Sequence, residues 1–418
     1  MPRYPKTARE NRSSRAARPR VNSLHGRALG GLLLAVCVLL MPRPGIAEDQ
    51  AAVATYVRRD SDRTLVVAPR LRLRTGVTEA THLNMVYAVD VWTSASIDII
   101  SSASPYPVTE QRDEVDLSVD HEFSDITVTA AYRYSREPDY VSHGGSGGFG
   151  YDFADNNSTI AVGISGSSDS VGRAGDPNFD RSASTFGSRL AFTQVLDVDT
   201  VAQGIYEYSR IGGYQSSPYR FVPIGGANCT EKMSKNAAMD VAVDPATGIP
   251  LDPAAAGVFQ TQLASLCPPE HNPTLRQRHA MSARVRRSLG EALSAGLTYR
   301  FYLDDWGITS HTVTADMGYM LSERTMLGAR YRFYTQGAAD HYRSFYEIEL
   351  PYLTRDKELS PLTGHRLVLE LEHAIPFPDE RKLVTSASVS PLLYFYPDFP
   401  LRERISGVEF NLALSLTL

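Results

Sequence analysis

Long hydrophobic runs are what this 418-residue chain lacks. The single one, Ala28–Met41, is shorter than the roughly 18 residues a bilayer-spanning helix needs, and nothing after it is apolar for as long. A helical membrane protein is thereby excluded. Cysteine is scarce as well, with Cys37, Cys229 and Cys267 the full complement. No Cys-x-x-Cys, His-Glu-x-x-His or Walker pattern is present, so the short motifs of thiolate metal sites, zinc proteases and P-loops are all missing. The ten histidines stand in no local nucleophile signature. Triad members can come from separate strands, so a hydrolase stays open as the least favoured of three functions.

A basic surplus is missing too. The chain is net −5, and its first 47 residues hold nine Lys/Arg and one acid. The remainder carries 33 basic against 46 acidic residues, net −13, which argues against nucleic acid as a partner. Those 47 residues have the layout of a secretory signal peptide. A basic lead from Arg3 to Arg27 precedes the apolar run, and the small-residue end Gly45-Ile46-Ala47 predicts cleavage after Ala47. Cys37 lies inside the apolar run, which does not suit a lipoprotein site.

What the chain has in abundance is alternation. Val408, Phe410, Leu412, Leu414, Leu416 and Leu418 interleave with Glu409, Asn411, Ala413, Ser415 and Thr417. A period of two sends the two sets to opposite faces of a β-strand. The segment resembles the closing strand of a bacterial outer-membrane β-barrel, with an apolar face to lipid and a polar face to the lumen. It departs from that class in ending on Leu418 rather than Phe. Soluble sandwiches and propellers are also all-β. A barrel fits better, because the strands run to about ten residues or more and each keeps one apolar face.

The pattern predicts an all-β chain, a transmembrane antiparallel barrel of about sixteen strands, with fourteen to eighteen open. They are Thr64–Gly76, Thr81–Trp92, Ala95–Ser102, Asp113–Phe123, Ile126–Arg136, Tyr140–Phe153, Ser158–Ser167, Ser184–Leu196 and Thr200–Ile211. After a long connection come Leu275–Leu289, Leu293–Leu303, Ile308–Leu321, Thr325–Thr335, Gly364–Ile375, Leu383–Tyr396 and Arg404–Leu418. Residues 48–63 read as a periplasmic segment before a barrel spanning 64–418, with a surface loop over 212–274. Connections alternate in length. Those at 154–158, 196–200, 288–292 and 321–325 are short, and those at 169–183, 212–274, 336–363 and 397–403 are long or polar, as outer-membrane barrels require.

Cys229 and Cys267 bracket part of the long loop, and an exported chain with two remaining cysteines predicts one disulfide. The bond suits either a protective staple or a loop folded over the pore. Asp304-Asp305-Trp306-Gly307 offers adjacent carboxylates, but Asp and Gly also build tight turns, and no metal or other cofactor is implied. Trp92 and Trp306 fall near strand ends, where an interfacial aromatic belt would hold them.

Several spaced segments together resemble a known family. They are Tyr87-Ala88-Val89-Asp90-Val91-Trp92-Thr93-Ser94-Ala95-Ser96-Ile97-Asp98, Ser135-Arg136-Glu137-Pro138-Asp139-Tyr140 and Asp304-Asp305-Trp306-Gly307-Ile308-Thr309-Ser310-His311-Thr312. The family is a group of uncharacterised bacterial outer-membrane barrels with a domain of unknown function. The resemblance covers most of the exported chain and implies an architecture without any catalytic residues. The insertion between Cys229 and Cys267 stands outside it.

If the apolar face meets lipid, the lumen is lined by Arg70, Arg72, Arg74, Glu114, Asp116, Arg284, Arg286, Arg300, Arg330, Arg332, Glu370 and Glu372. So many charges kept dry would be costly even in pairs, which favours a hydrated interior. The expected function is a passive or export conduit, porin-like, for an unknown solute or a polymer such as polysaccharide. A barrel that anchors periplasmic or surface partners is the alternative. Location in the outer membrane of a Gram-negative bacterium implies two partners, outer-membrane lipid and the barrel-assembly machinery.

Overall fold

The computed structural model describes residues 49–94, 108–174, 176–227, 229, 266–378 and 381–418. The expected signal peptide and most of the loop between the two cysteines lie outside them. Sixteen antiparallel strands are present among the described residues, joined in chain order into a closed barrel. They are β1 Gln50–Asp60, β2 Thr64–Thr78, β3 Thr81–Ser94, β4 Val108–Phe123, β5 Ile126–Arg136, β6 Tyr140–Phe153, β7 Ser158–Val171 and β8 Arg181–Asp197. The second half holds β9 Thr200–Gly213, β10 Leu275–Ser288, β11 Leu293–Asp304, β12 Thr309–Ser322, β13 Thr325–Gln336, β14 Leu362–Pro376, β15 Lys382–Phe395 and β16 Arg404–Thr417.

The strand number agrees with expectation, but the membership does not. Residues 50–60, read as part of a periplasmic segment, form β1. That strand pairs with β2 on one side and β16 on the other, with Val53 opposite both Leu71 and Leu414. Without it β16 would expose an open edge of unpaired backbone groups, which closure of the barrel removes. The expected strand Ala95–Ser102 falls outside the described residues. β3 and β4 pair directly, from Thr81 opposite His121 to Ser94 opposite Val108.

Pleating sorts each strand by face. Leu297, Leu412 and Ile164 remain 57, 58 and 58 % exposed on the outside of the barrel, as side chains with no protein layer over them do. The register carries the inner face around the wall: Arg70 opposes Ala88, and Ala88 opposes Glu114. At one end the strands are joined by short turns, at 79–80, 124–125, 154–157, 198–199, 289–292, 323–324 and 377–381. The other end carries the long connections, including 214–274, 337–361 and 396–403.

At the long-loop end these connections knit into a roof. Trp306 and Ile308 pack with Ala339, Tyr342 and Leu359, while Val222 and Ile224 pack with Tyr346 and Leu353. A third cluster joins Leu362, Tyr396, Phe399 and Ile405. Cys229 and Cys267 are disulfide-bonded, with Cα atoms 5.7 Å apart, and hold the two described arms of the longest loop together. Trp306 therefore belongs to the roof and not to a lipid-facing belt: it is buried, and its Nε1 donates to the Leu275 carbonyl at 2.8 Å. Trp92 opposes Val66 and Glu110 on the inner face, two residues beyond Asp90, so it too is absent from the outer belt.

Candidate functional site: a charged barrel interior

Register places all twelve sequence-derived residues on the inner face. Arg70, Arg72 and Arg74 lie on β2, with Glu114 and Asp116 on β4. Arg284 and Arg286 on β10 oppose Thr298 and Gly296, and Arg300 on β11 opposes Ser282. Arg330 and Arg332 on β13 oppose Asp316 and Thr314, and Glu370 and Glu372 follow on β14.

Many of these charges neutralise one another. Asp120 is held by Arg74 at 3.4 Å, His82 at 3.2 Å and the amide of Asn84 at 2.8 Å. Arg133 bonds Glu114 and reaches Asp116 at 3.8 Å. Other pairs skip a strand: Arg286 on β10 reaches Asp316 on β12, Arg300 on β11 reaches Glu207 on β9, and Arg366 on β14 reaches Glu409 on β16. Glu409 also accepts the Tyr56 hydroxyl at 2.7 Å. A long guanidinium reaches over the intervening strand because that strand offers a small or short residue there, such as Gly296 between Arg286 and Asp316.

Four arginines on β10 and β13, Arg278, Arg284, Arg330 and Arg332, have no carboxylate within ion-pair distance among the described residues, and neither do Arg70 and Arg72 on β2 or Arg189 on β8. The acids on β14, Glu370 and Glu372, nearer the short-turn end, also lack an ion-pair partner among the described residues. Facing the arginines, β6 and β7 present Ser142, Gly144, Ser146, Gly148, Gly163 and Ser165 inward. These small side chains leave the lumen open on that side. A cavity of about 690 Å³ lies against Arg278, Arg300, Arg332, Tyr302 and Tyr334, with Arg220, Glu270 and Asp356 of the roof also lining it. A second, of about 540 Å³, lies between Gly148, Gly163, Gly187 and the side chains of Arg189, Arg278 and Arg300.

The roof is itself an ionic knot. Arg220 reaches Glu270 at 3.2 Å and Asp356 at 2.6 Å, while Glu270 accepts the Ser217 amide at 2.8 Å and the Thr354 hydroxyl at 2.5 Å. Burial pushes the Glu270 carboxyl above its ordinary range, against the pull of Arg220. Nε2 of His341 lies 2.9 Å from Asn272 Oδ1, and its ring stands edge-on to Trp306 at 5.0 Å. Burial, reinforced by the Arg276 charge, pushes this imidazole down to about 4. Lys357 and Arg402, each 3.3 Å from Asp62, tie the roof to the β1–β2 turn.

Asp304 and Asp305 serve the turn reading. Asp304 accepts backbone N–H groups within its own tight turn, and among the described residues no group of three or more His, Cys, Asp or Glu is placed to hold a metal. Gly307 closes that turn with φ near +86°, where a Cβ would strike the Asp340 carboxylate. Gly144-Gly145-Ser146-Gly147-Gly148 has the spacing of a nucleophile elbow, but it lies within β6 and not at a strand-to-helix turn. Sequence reasoning missed Arg278 as an uncompensated charge, since only the closed wall shows which arginines lack acids.

A family described as Protein of unknown function (DUF3570) matches residues 94–367, more than half of the chain. The chain belongs to this family. Comparison with curated protein sequences gave no match. This DUF3570 member is similar in fold to a bacterial polysaccharide outer membrane secretin, with 9% identity over 87% of this chain and 97% of the secretin, TM-score 0.46. It is similar to OprD of Pseudomonas aeruginosa, with 8% identity over 90% of this chain and 97% of OprD, TM-score 0.40. Against a ferric enterobactin receptor the identity is 10% over 84% of this chain, TM-score 0.39. There the DUF3570 chain spans about half the receptor, 55% of its length.

Proposed function

We propose that this barrel lies in the outer membrane of a Gram-negative bacterium, its first 47 residues removed on export, and conducts polar solutes through a hydrated, charged lumen. The single observation that carries the reading is the set of inward arginines without carboxylate partners among the described residues, Arg278, Arg284, Arg330 and Arg332, of which Arg278 and Arg332 line the cavities. Uncompensated charge is tolerated where water solvates it, and a surplus of one sign focuses ions of the other. The conduit accordingly favours anions, whether small solutes or an acidic polymer. The short-turn end faces the periplasm and the roof faces outward, as the alternation of loop lengths supports.

The knitted roof supports a second reading, a barrel that is silent until the roof is displaced or that presents the roof to a surface partner. Planar-bilayer recording separates the two. Steady conductance with anion preference is expected of the purified protein, and Arg330→Glu with Arg332→Glu should shift the reversal potential toward cations. A folded barrel that stays electrically silent would instead support the anchoring role.

A further inference from the structure

The outer face carries a unit that recurs four times. Tyr132-Arg133-Tyr134, Tyr206-Glu207-Tyr208, Tyr299-Arg300-Phe301 and Tyr331-Arg332-Phe333 each send a charged residue inward and two rings outward. Each stands on a strand running toward the long-loop end, and the following strand supplies a histidine directly opposite the second ring. The first Tyr hydroxyl of each unit reaches that histidine's Nδ1. The distances are 2.8 Å to His143, 2.9 Å to His279, 2.8 Å to His311 and 2.7 Å to His365. The second ring packs against the imidazole with centroids 5.1, 5.1, 5.3 and 5.4 Å apart. All four histidines lie within a few residues of the long-loop ends of their strands.

Packing alone does not account for the donors left over. A neutral imidazole whose Nδ1 accepts the Tyr proton carries its own ring proton on Nε2, and that is the tautomer the inference below requires. That Nε2–H has no protein acceptor for any of the four among the described residues. In two units the same outward row ends in a cation, Arg136 two residues after Tyr134 and Arg210 two after Tyr208. Both are exposed and without an ion pair among the described residues, although Asp113 stands opposite Arg136 in register. The first ring lowest, the second ring and the imidazole level with each other, and in two units a guanidinium highest match the layering from acyl chain to headgroup.

We infer that this belt binds the phosphate groups of outer-leaflet lipids, with His143, His279, His311 and His365 donating from Nε2 and Arg136 and Arg210 supplying charge. The inference rests on the outer-membrane reading above and adds to it a lipid site on the barrel wall. The exported full chain in neutral detergent would be titrated with diphosphorylated lipid A and with the same lipid after phosphate removal. Bound lipid would be counted by native mass spectrometry. Wild-type protein should retain the phosphorylated form about tenfold better, roughly 1.4 kcal/mol. The quadruple variant His143→Phe, His279→Phe, His311→Phe, His365→Phe keeps the rings and should lose that preference.

Equal retention of both lipids by wild-type protein overturns the inference without reference to any variant. Displacement of the lipid by inorganic phosphate at matched concentration also overturns it, since that would mark an ion site and not a lipid surface. Circular dichroism and heat-modifiable migration on the same preparation report whether a barrel is present. A barrel indifferent to phosphate thus refutes the belt alone, and a chain that is no barrel refutes the outer-membrane reading.

Discussion

Arg276 and Asp304 lock the barrel wall to the roof: Nε of Arg276 donates to Oδ2 of Asp304 at 2.9 Å, on a carboxylate wholly removed from solvent. The other oxygen, Oδ1, accepts the backbone N–H groups of Trp306 at 3.1 Å and Ile308 at 2.9 Å. One carboxylate thus fixes the β11–β12 turn, anchors the guanidinium that lies 4.3 Å from the Trp306 ring, and takes the Tyr302 hydroxyl at 2.7 Å. Removing its charge strands Arg276 at the base of the roof. Asp304→Ala should cost about 3–5 kcal/mol, the usual penalty for breaking a buried pair. Protease sensitivity of the roof on a still heat-modifiable barrel is the measurement, and unchanged sensitivity would contradict the arrangement.

The outward face makes a second prediction. Leu412 stands near the middle of β16 and is 58 % exposed. Leu412→Arg should cost about 2–4 kcal/mol in a bilayer and reduce the yield of assembled barrel. Ala413→Arg, one residue on and facing inward, should be tolerated better. Equal assembly of the two variants would show that the faces have been assigned wrongly.

Acidification should loosen the roof. His341 is held down at about 4 when the roof is closed and returns toward about 6.5 when it opens. Its folded value is depressed, so the open form binds more protons between those limits, and closed-roof stability is lost as pH falls from about 6.5 to 4. The group is only half-buried, so the effect should be about 1–2 kcal/mol. Glu270 pulls the other way, because a raised carboxyl value favours the closed form as pH falls. Hydrogen-exchange protection of the Thr354 amide, bonded to the Tyr346 hydroxyl at 2.9 Å, should fall across this window. His341→Phe should flatten the dependence, and a pH response of full size in that variant would assign it elsewhere.

The disulfide offers a fourth test. Cys229→Ser with Cys267→Ser should weaken the roof by about 2–4 kcal/mol while the barrel, whose strands do not include either residue, assembles as before. Added protease on intact cells should then cut the loop in the variant and spare it in the parent chain. Cleavage only after the outer membrane is opened would invert the topology.

Much of the wall was legible because a closed barrel with an apolar outer face imposes one rule on every strand. Period-two alternation in Leu367, Leu369 and Leu371 against Arg366, Glu370 and Glu372 names both faces without any knowledge of neighbours. β1 escaped because Ala51, Ala52 and Ala54 offer no contrast between faces. Its place is fixed only by the edges of β2 and β16, which need a partner. Trp306 escaped for a related reason: a ring near a strand end suits lipid or a roof equally, and only the packing of Ala339, Tyr342 and Leu359 over it decides.

By itself the sequence determined which side chains face outward and which face the lumen, and which turns are short, since these depend on local periodicity and turn chemistry. Closure decided the rest. Arg300 finds Glu207, and Arg366 finds Glu409, across strands far apart in the chain, leaving Arg278, Arg284, Arg330 and Arg332 without an ion-pair partner among the described residues. The four Tyr–His contacts likewise exist only because inter-strand register sets each histidine two residues from the tyrosine's partner. Register is a property of paired strands, so no single strand's sequence contains it.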